Sequence, residues 1–363
     1  MDTDEVGHRL TSWFAAQLGD AADVEVAGLN RVEVGHSAET LLLTLAWRDA
    51  HGDHRDDVAI RVRPPAPGLL EPYDLRRQFD ILRALEATPV RSPRALWFEG
   101  TVDVIGREFY VMERLAGRVY ERGVPDDIAR DSVRRRRMCE SMVEQLGAIH
   151  LVDLRATGLD AIADGLGYLD RELGHWAAEL RRVQRGPLPA LERLAAALRD
   201  QQSAQHPAVA LVHGDAKPGN FAFEGAEVSA VFDWEMATVG DPMADIGWAE
   251  VNWPFPGFFT SVAGSLTTDE FVAYWEQLTG LTAQHREWYR AMQAFKMAVI
   301  LLVGGHLFDS GDSEDLRFLE MTSAIHPLTL TGLHELDIRD ELPSGPVTPR
   351  EERIADVNAS RRQ

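Results

Sequence analysis

The amino-acid sequence predicts an α+β protein built as two lobes: a small β-rich lobe over residues 1–115, a larger and mainly helical lobe over 116–340, and a flexible tail over 341–363. Three observations carry this expectation. The chain is 363 residues long, more than a single hydrophobic core usually serves. Apolar residues recur at the strand period early in the chain and at the helical period from about residue 127 onward. One short β-like stretch, over 208–234, interrupts the helical part.

The elements follow in order. Val6, Leu10, Trp13, Phe14 and Leu18 share one face of a helix across residues 4–18. Residues 23–34, 40–47 and 57–62 are short runs of β-branched and apolar residues, and the polar cluster DAHGDHRD between the last two predicts a long hairpin turn. Leu75, Phe79, Leu82 and Leu85 line one face of a helix over 73–86, and strands at 94–98 and 108–112 complete a five-stranded sheet. Residues 133–150 and 168–185 are long helical segments; Gly186, Pro187 and Pro189 break the pattern before another at 191–202. After the β interruption, helices are predicted at 242–252, 269–278 and 287–308. The tail carries Pro343, Gly345, Pro346 and Pro349, which suits no regular element.

The composition is globular, 45% hydrophobic and 26% charged. With 37 basic and 58 acidic residues the net charge is −21, which argues against a nucleic-acid partner, because phosphate backbones need a basic face. Cys139 is the only cysteine, so neither an internal disulfide nor a thiolate zinc site is expected. The N-terminal MDTDEVGHRL has no apolar core of a secretory signal, and a cytoplasmic location is the simplest expectation. The longest apolar run, MAVILLV at 297–303, is short for a bilayer span and predicts a buried helix, so no membrane partner is expected. Lys217 and Lys296 are the only lysines; every other basic residue is arginine.

The chemistry concentrates in residues 211–245, LVHGDAKPGNFAFEGAEVSAVFDWEMATVGDPMAD. His213-Gly214-Asp215 is followed after five positions by Asn220, and after another thirteen by Asp233 at the end of an apolar strand. Phosphoryl transfer needs a carboxylate to orient the attacking hydroxyl and accept its proton, and oxygen ligands that hold Mg²⁺ against the phosphates. Asp215 is the candidate base, with Asn220 and Asp233 as the metal ligands. A hairpin turning at Glu224-Gly225-Ala226 would set Asn220 and Asp233 side by side. Asp241, ahead of Pro242, is read as a helix cap and His213 as a buried brace of the loop.

HGDxxxxN, a strand ending in Asp-Trp and then GDPxxD together resemble the aminoglycoside phosphotransferase-like kinases, over roughly Val34 to Phe308. The resemblance implies a two-lobed protein-kinase-like fold, ATP and Mg²⁺ as cofactors, and transfer of the γ-phosphate to the hydroxyl of a small molecule. Within that family, LGAIHLVDL and YLDRELGHW resemble the branch of kinase domains fused to acyl-CoA dehydrogenases, which implies hydroxyacyl or other non-antibiotic acceptors. Lys217, two residues after Asp215, resembles the phosphate-contacting lysine of protein-kinase catalytic loops.

For the nucleotide, Val58-Ala59-Ile60-Arg61 matches the kinase strand V-A-I-K with arginine in place of lysine, and Arg63 is the alternative cation. The glutamate that usually pairs with this cation aligns with Gln78. Gly35, His36 and Ser37 are the candidate phosphate-covering loop, and backbone groups of Glu113 and Leu115 the candidate adenine hinge. For the acceptor, Glu235, Glu250 and Asp312 would suit a polycationic aminoglycoside, while Trp253 and Trp288, with the aromatic run WPFPGFF, would suit a hydrophobic one. Three readings stand at this level: a small-molecule kinase, a nucleotide-binding pseudokinase marked by the Arg61 and Gln78 departures, and a protein kinase. The last lacks a long activation segment, since Gly-Asp-Pro follows Asp233 within eight residues.

Overall fold

The computed structural model describes residues 3–32, 39–121, 123–162 and 167–339. The chain divides into two compact units: Met1–Arg118 with Ala222–Glu224 and Val228–Glu235, and Val119–Phe221 with Gly225–Glu227 and Met236–Gln363. The two inserted stretches of the first unit belong to a region that the sequence reading groups with the helical lobe. The expected tail, 341–363, and the loop at Gly35, His36 and Ser37 lie outside the described residues.

The first unit opens with helix α1 (Thr3–Gln17) and continues with strands β1 (Ala22–Val32), β2 (Glu39–Asp49) and β3 (Gly52–Val62), helix α2 (Leu75–Leu85), and strands β4 (Ala95–Glu99), β5 (Phe109–Glu113) and β6 (Arg118–Val119). The sheet has five strands in the order β1-β2-β3-β5-β4, and all four pairings are antiparallel. The long turn expected from DAHGDHRD is corrected. Register runs to Asp49 opposite Gly52, so only Ala50 and His51 turn and the polar residues extend β3. Cross-strand pairs explain it: Arg48 Nε meets Asp53 at 2.5 Å, and His54 stacks on Trp47 at 4.9 Å. Leu10, Trp13 and Phe14 of α1 pack with Leu43, Leu45, Ile60, Phe109 and Val111 of the sheet to form this unit's core. Trp13 anchors the helix, its ring 4.9 Å from Phe109 and its Nε1 donating to Glu99 at 2.7 Å.

The second unit carries α3 (Asp126–Ala129), α4 (Ser132–His150), α5 (Tyr168–Val183), α6 (Pro189–Asp200) and strand β7 (Ala210–Val212). Between β7 and strand β10 (Thr238–Gly240) the chain forms the hairpin β8 (Phe221–Glu224) and β9 (Glu227–Val231), most of which belongs to the first unit and which shares a sheet with β6. Helices α7 (Met243–Asn252), α8 (Thr268–Thr279), α9 (Arg286–Ser310), α10 (Leu316–Met321) and α11 (Ile325–Glu335) complete the second unit. The sequence reading missed α3, α10 and α11: the first two are short, and α11 has Pro327 in its first turn, where a ring is tolerated. Helix α9 is long and apolar enough to cross a membrane, but 89% of its most apolar window is buried inside the protein, so its apolarity is satisfied by packing.

Candidate active site

Strands β7 and β10 position the catalytic-type loop. They pair antiparallel, Val212 opposite Thr238 and Ala210 opposite Gly240, so the His213-Gly214-Asp215 turn leaves β7 beside the start of β10. Gly214 has φ +83, and a Cβ there would stand 2.5 Å from the Met236 carbonyl oxygen, so the turn requires glycine.

Asp245, buried on α7, ties the turn down. Its Oδ2 accepts the His213 N–H at 2.7 Å and its Oδ1 accepts the Gly214 N–H at 2.8 Å. The same Oδ2 lies 3.1 Å from His150 Nε2, and His150 Nδ1 accepts from Trp275 Nε1 at 2.9 Å. Indole N–H only donates, so His150 carries its proton on Nε2 and donates it to Asp245. Burial pushes the Asp245 carboxyl upward, but the hydrogen bond from His150, the electrostatic influence of the two neighbouring imidazoles and the His213 N–H outweigh it and hold the group below the usual aspartate range. Asp241 ties down the far end: it accepts from Met243 N at 2.9 Å at the head of α7, from His206 N at 2.8 Å and from the Tyr289 hydroxyl at 2.6 Å. The N-cap of α7 is Pro242, not the expected Asp241, whose carboxylate instead ties the residues ahead of the helix to His206 and Tyr289. His213 is fully buried, and its Nδ1 accepts the Asp215 N–H at 3.2 Å.

Three expected residues meet at Asp215. Lys217 Nζ donates to Asp215 Oδ2 at 2.9 Å, and Asn220 Nδ2 donates to the same oxygen and to the Asp215 carbonyl, both at 2.8 Å. The other carboxylate oxygen, Oδ1, is buried and has no hydrogen-bond partner. A buried carboxylate oxygen without a partner is where an incoming hydroxyl could donate. With its nitrogen committed to Asp215, Asn220 has Oδ1 as its remaining ligand atom.

In the first unit, Arg61 is the half-buried cation of β3, its side chain 13% exposed against 39% for Arg63, which pairs with Glu108 at 3.0 Å. Arg61 Nη2 reaches Asp233 Oδ1 at 2.8 Å and Glu235 Oε2 at 3.2 Å, and Nη1 reaches Thr40 Oγ1 at 3.3 Å. Burial disfavours its charge, yet Asp233 and Glu235 outweigh that and hold the guanidinium above the usual arginine range. Gln78, the position aligned with the usual glutamate, instead accepts the Tyr110 hydroxyl at 3.3 Å. Asp233 has φ +65, a backbone conformation a non-glycine residue adopts only at a cost of about 1–3 kcal/mol. Asn220 directly precedes β8 and Asp233 follows β9 by two residues.

Asn220 and Asp233 offer a neutral carbonyl oxygen and a carboxylate, hard donors suited to Mg²⁺. Among the described residues no group of three or more His, Cys, Asp or Glu could hold a metal alone.

The remaining candidates stand elsewhere. Glu113 closes β5, its N–H donating to the Arg94 carbonyl at 2.9 Å, which leaves hinge pairing to its carbonyl and to Leu115. Glu235 is Arg61's second carboxylate. Glu250 is buried under Arg286 at 2.6 Å and Arg290 at 3.3 Å. The indole N–H of Trp253 donates to the Leu266 carbonyl at 2.6 Å and that of Trp288 to the Leu198 carbonyl at 3.1 Å, so both rings pack within the helical unit. The residue the sequence reading passed over is Lys296, although its rarity was visible. It is buried on α9, and its Nζ donates to the Gly214 carbonyl at 3.3 Å.

Residues 29–290 match the model of the Phosphotransferase enzyme family. Acyl-CoA dehydrogenase family member 11 of Rattus norvegicus is 28% identical over 289 residues, 76% of this chain and 37% of that protein. The chain therefore spans little more than a third of that relative's length. A Ralstonia eutropha structure described as a candidate aminoglycoside phosphotransferase superposes with a TM-score of 0.73 at 23% identity, covering 92% of this chain and 99% of that one. A thermostable mutant aminoglycoside phosphotransferase in ternary complex with ADP and hygromycin B gives a TM-score of 0.54 at 14% identity, over 89% of this chain and 98% of that one. These likenesses establish a shared kinase-like fold of mixed α+β class.

Proposed function

The chain belongs to the phosphotransferase enzyme family, and on that footing we propose that it is a small-molecule kinase that moves the γ-phosphate of ATP to a substrate hydroxyl. The observation that carries the reading is the Asp215 carboxylate: one oxygen held by Lys217 and Asn220, the other buried and open. In this reading Oδ1 orients the acceptor hydroxyl and takes its proton as the phosphoryl group transfers. Lys217 and Asn220 fix the carboxylate so that no reorganisation is needed during the step. Bound Mg²⁺, held by Asn220 and Asp233, would neutralise charge on the phosphates. Arg61 would serve as the nucleotide clamp, with Asp233 and Glu235 as its counter-ions in place of a helix glutamate. A carboxylate-paired Arg61 favours a working clamp over a pseudokinase.

The acceptor is proposed to be a non-antibiotic metabolite, a hydroxyacyl compound in particular. Polycationic aminoglycosides need unpaired acids. Glu235 and Glu250, two of the acids that could have served, are neutralised by Arg61 and by Arg286 with Arg290. The likeness to an acyl-CoA dehydrogenase family member supports the same class. The test is acceptor-stimulated ADP release from MgATP, run with hydroxyacyl-CoAs, aminoglycosides and macrolides, with the phosphorylated product identified by mass. Stimulation by hydroxyacyl compounds alone is the expected result. Stimulation by aminoglycosides would overturn the acceptor assignment, and no ATP turnover with any acceptor or water would count against the kinase itself.

A further inference from the structure

Lys296 is one of two lysines in a chain that otherwise uses arginine, and it lies inside the protein, 5% exposed. A buried ammonium loses most of its hydration, which is costly unless its surroundings stabilise the charge. Among the described residues, its one hydrogen bond is to the Gly214 carbonyl, the peptide group immediately before Asp215. Its ammonium lies over the faces of Trp248 at 5.0 Å and Trp176 at 5.6 Å, which stabilise the charge without supplying a counter-ion. Burial holds its pKa below the usual lysine range, against the attraction of Glu172, Asp215 and Asp245.

The other side of Gly214 is held as well, since its N–H donates to Asp245. The residue before the expected base is therefore gripped through both backbone groups, by a buried carboxylate on N–H and a buried ammonium on C=O. The glycine between them sits at φ +83 with no room for a Cβ. Charged hydrogen bonds are stronger than neutral ones and hold a narrower geometry. Arginine at 296 would carry a broader fork, whereas lysine places a compact charge on a single carbonyl.

We propose that Lys296 is a positioning residue of the phosphoryl-transfer reaction, clamping the Gly214 carbonyl so that the Asp215 carboxylate keeps a fixed orientation. This rests on the kinase reading for its effect on rate, but the clamp itself is a property of the loop and is measurable without turnover. The experiment compares the wild-type chain with Lys296→Met and Lys296→Arg by hydrogen exchange of the peptide spanning residues 211–221 and by ADP release from MgATP with water as acceptor. Lys296→Met is expected to speed exchange in that peptide at least tenfold, with the rest of the helical unit unchanged. It is expected to lower kcat at least tenfold while the KM for ATP moves less than twofold. Lys296→Arg, which keeps a charged donor, is expected to recover part of both. If Lys296→Met does not fold, Lys296→Gln takes its place, with the same expectations.

Wild-type exchange in that peptide overturns the proposal, whatever happens to turnover. So does exchange that rises throughout the helical unit, because that marks loss of a core residue rather than of a local clamp. A wild-type protein that fails to turn over MgATP counts against the kinase reading, and the exchange comparison still decides the clamp.

Discussion

Asp215 and Arg61 are each defined by what their neighbours leave open. Asp215 has one oxygen committed and one buried without a partner, while Arg61 has two carboxylates where the sequence offered a glutamine. The candidate residues of the proposed reaction could be picked out from the sequence, because acid, amide and acid recur at a spacing that few other chemistries need. Arg61's partners were not, because Asp233 and Glu235 lie 172 and 174 positions away and no local pattern links them to β3. The acceptor candidates were chosen by residue type alone, and type does not reveal that Glu250 is matched by Arg286 and Arg290 or that Trp253 and Trp288 are bonded within the core. Arg61 is part-buried and bonded to Asp233, whereas Arg63 pairs with Glu108 near solvent. Arg61→Ala is therefore expected to raise the KM for ATP tenfold or more and Arg63→Ala less than threefold, since exposed ion pairs contribute only about 0–1 kcal/mol. Steady-state kinetics with ATP varied would check the ranking, and the reverse order would move the clamp to Arg63.

At the scale of elements, two short strands and one helix carry the site. Strands β7 and β10 are three residues each, and Asp245 on α7 with Asp241 just ahead of it holds the two ends of the junction. The sequence marked the β interruption and the helix after Gly-Asp-Pro. It could not show that Asp245 reaches back to the His213 and Gly214 amides, an interaction across more than thirty positions. The hairpin at 49–56 was misread for a related reason: charged residues that look like a turn are stable in a strand when they pair across it. Asp245→Asn removes a buried carboxylate that two backbone donors and His150 serve, and breaking such a pair costs about 3–5 kcal/mol. The sign of its pH dependence follows from the depressed carboxyl. The stability that Asp245 contributes is fully present above its unfolded value near 3.8 and is lost as pH falls through the lower folded value. Denaturant melts at pH 7 and near pH 3 should thus show a gap between wild type and Asp245→Asn that narrows on acidification; a gap independent of pH would deny that the carboxylate is charged in the fold.

For the whole molecule, the β-then-helical order of elements and the HGDxxxxN…DW…GDP series were enough to anticipate the kinase-like fold, and the family match over residues 29–290 agrees with it. Composition was less informative, since a net charge of −21 fits many enzymes. Ligand binding offers a test on the scale of the entire chain. A nucleotide that binds only the native state stabilises it by about 2.7 kcal/mol at a hundredfold excess over Kd. MgATP should therefore raise the melting temperature of the wild type, and this rise should largely vanish in Asp233→Ala or when Mg²⁺ is chelated. An unchanged rise in Asp233→Ala would remove Asp233 as the metal anchor.

The most direct test of the central claim is phosphoryl transfer by Asp215→Asn, measured beside its MgATP affinity. The substitution keeps the shape of the side chain and its place between Lys217 and Asn220, but removes the oxygen that would take the hydroxyl proton. The account predicts transfer reduced at least a hundredfold with MgATP affinity within about threefold of wild type, on the scale of general-base contributions. Transfer at the wild-type rate would contradict it and would assign the base to another group.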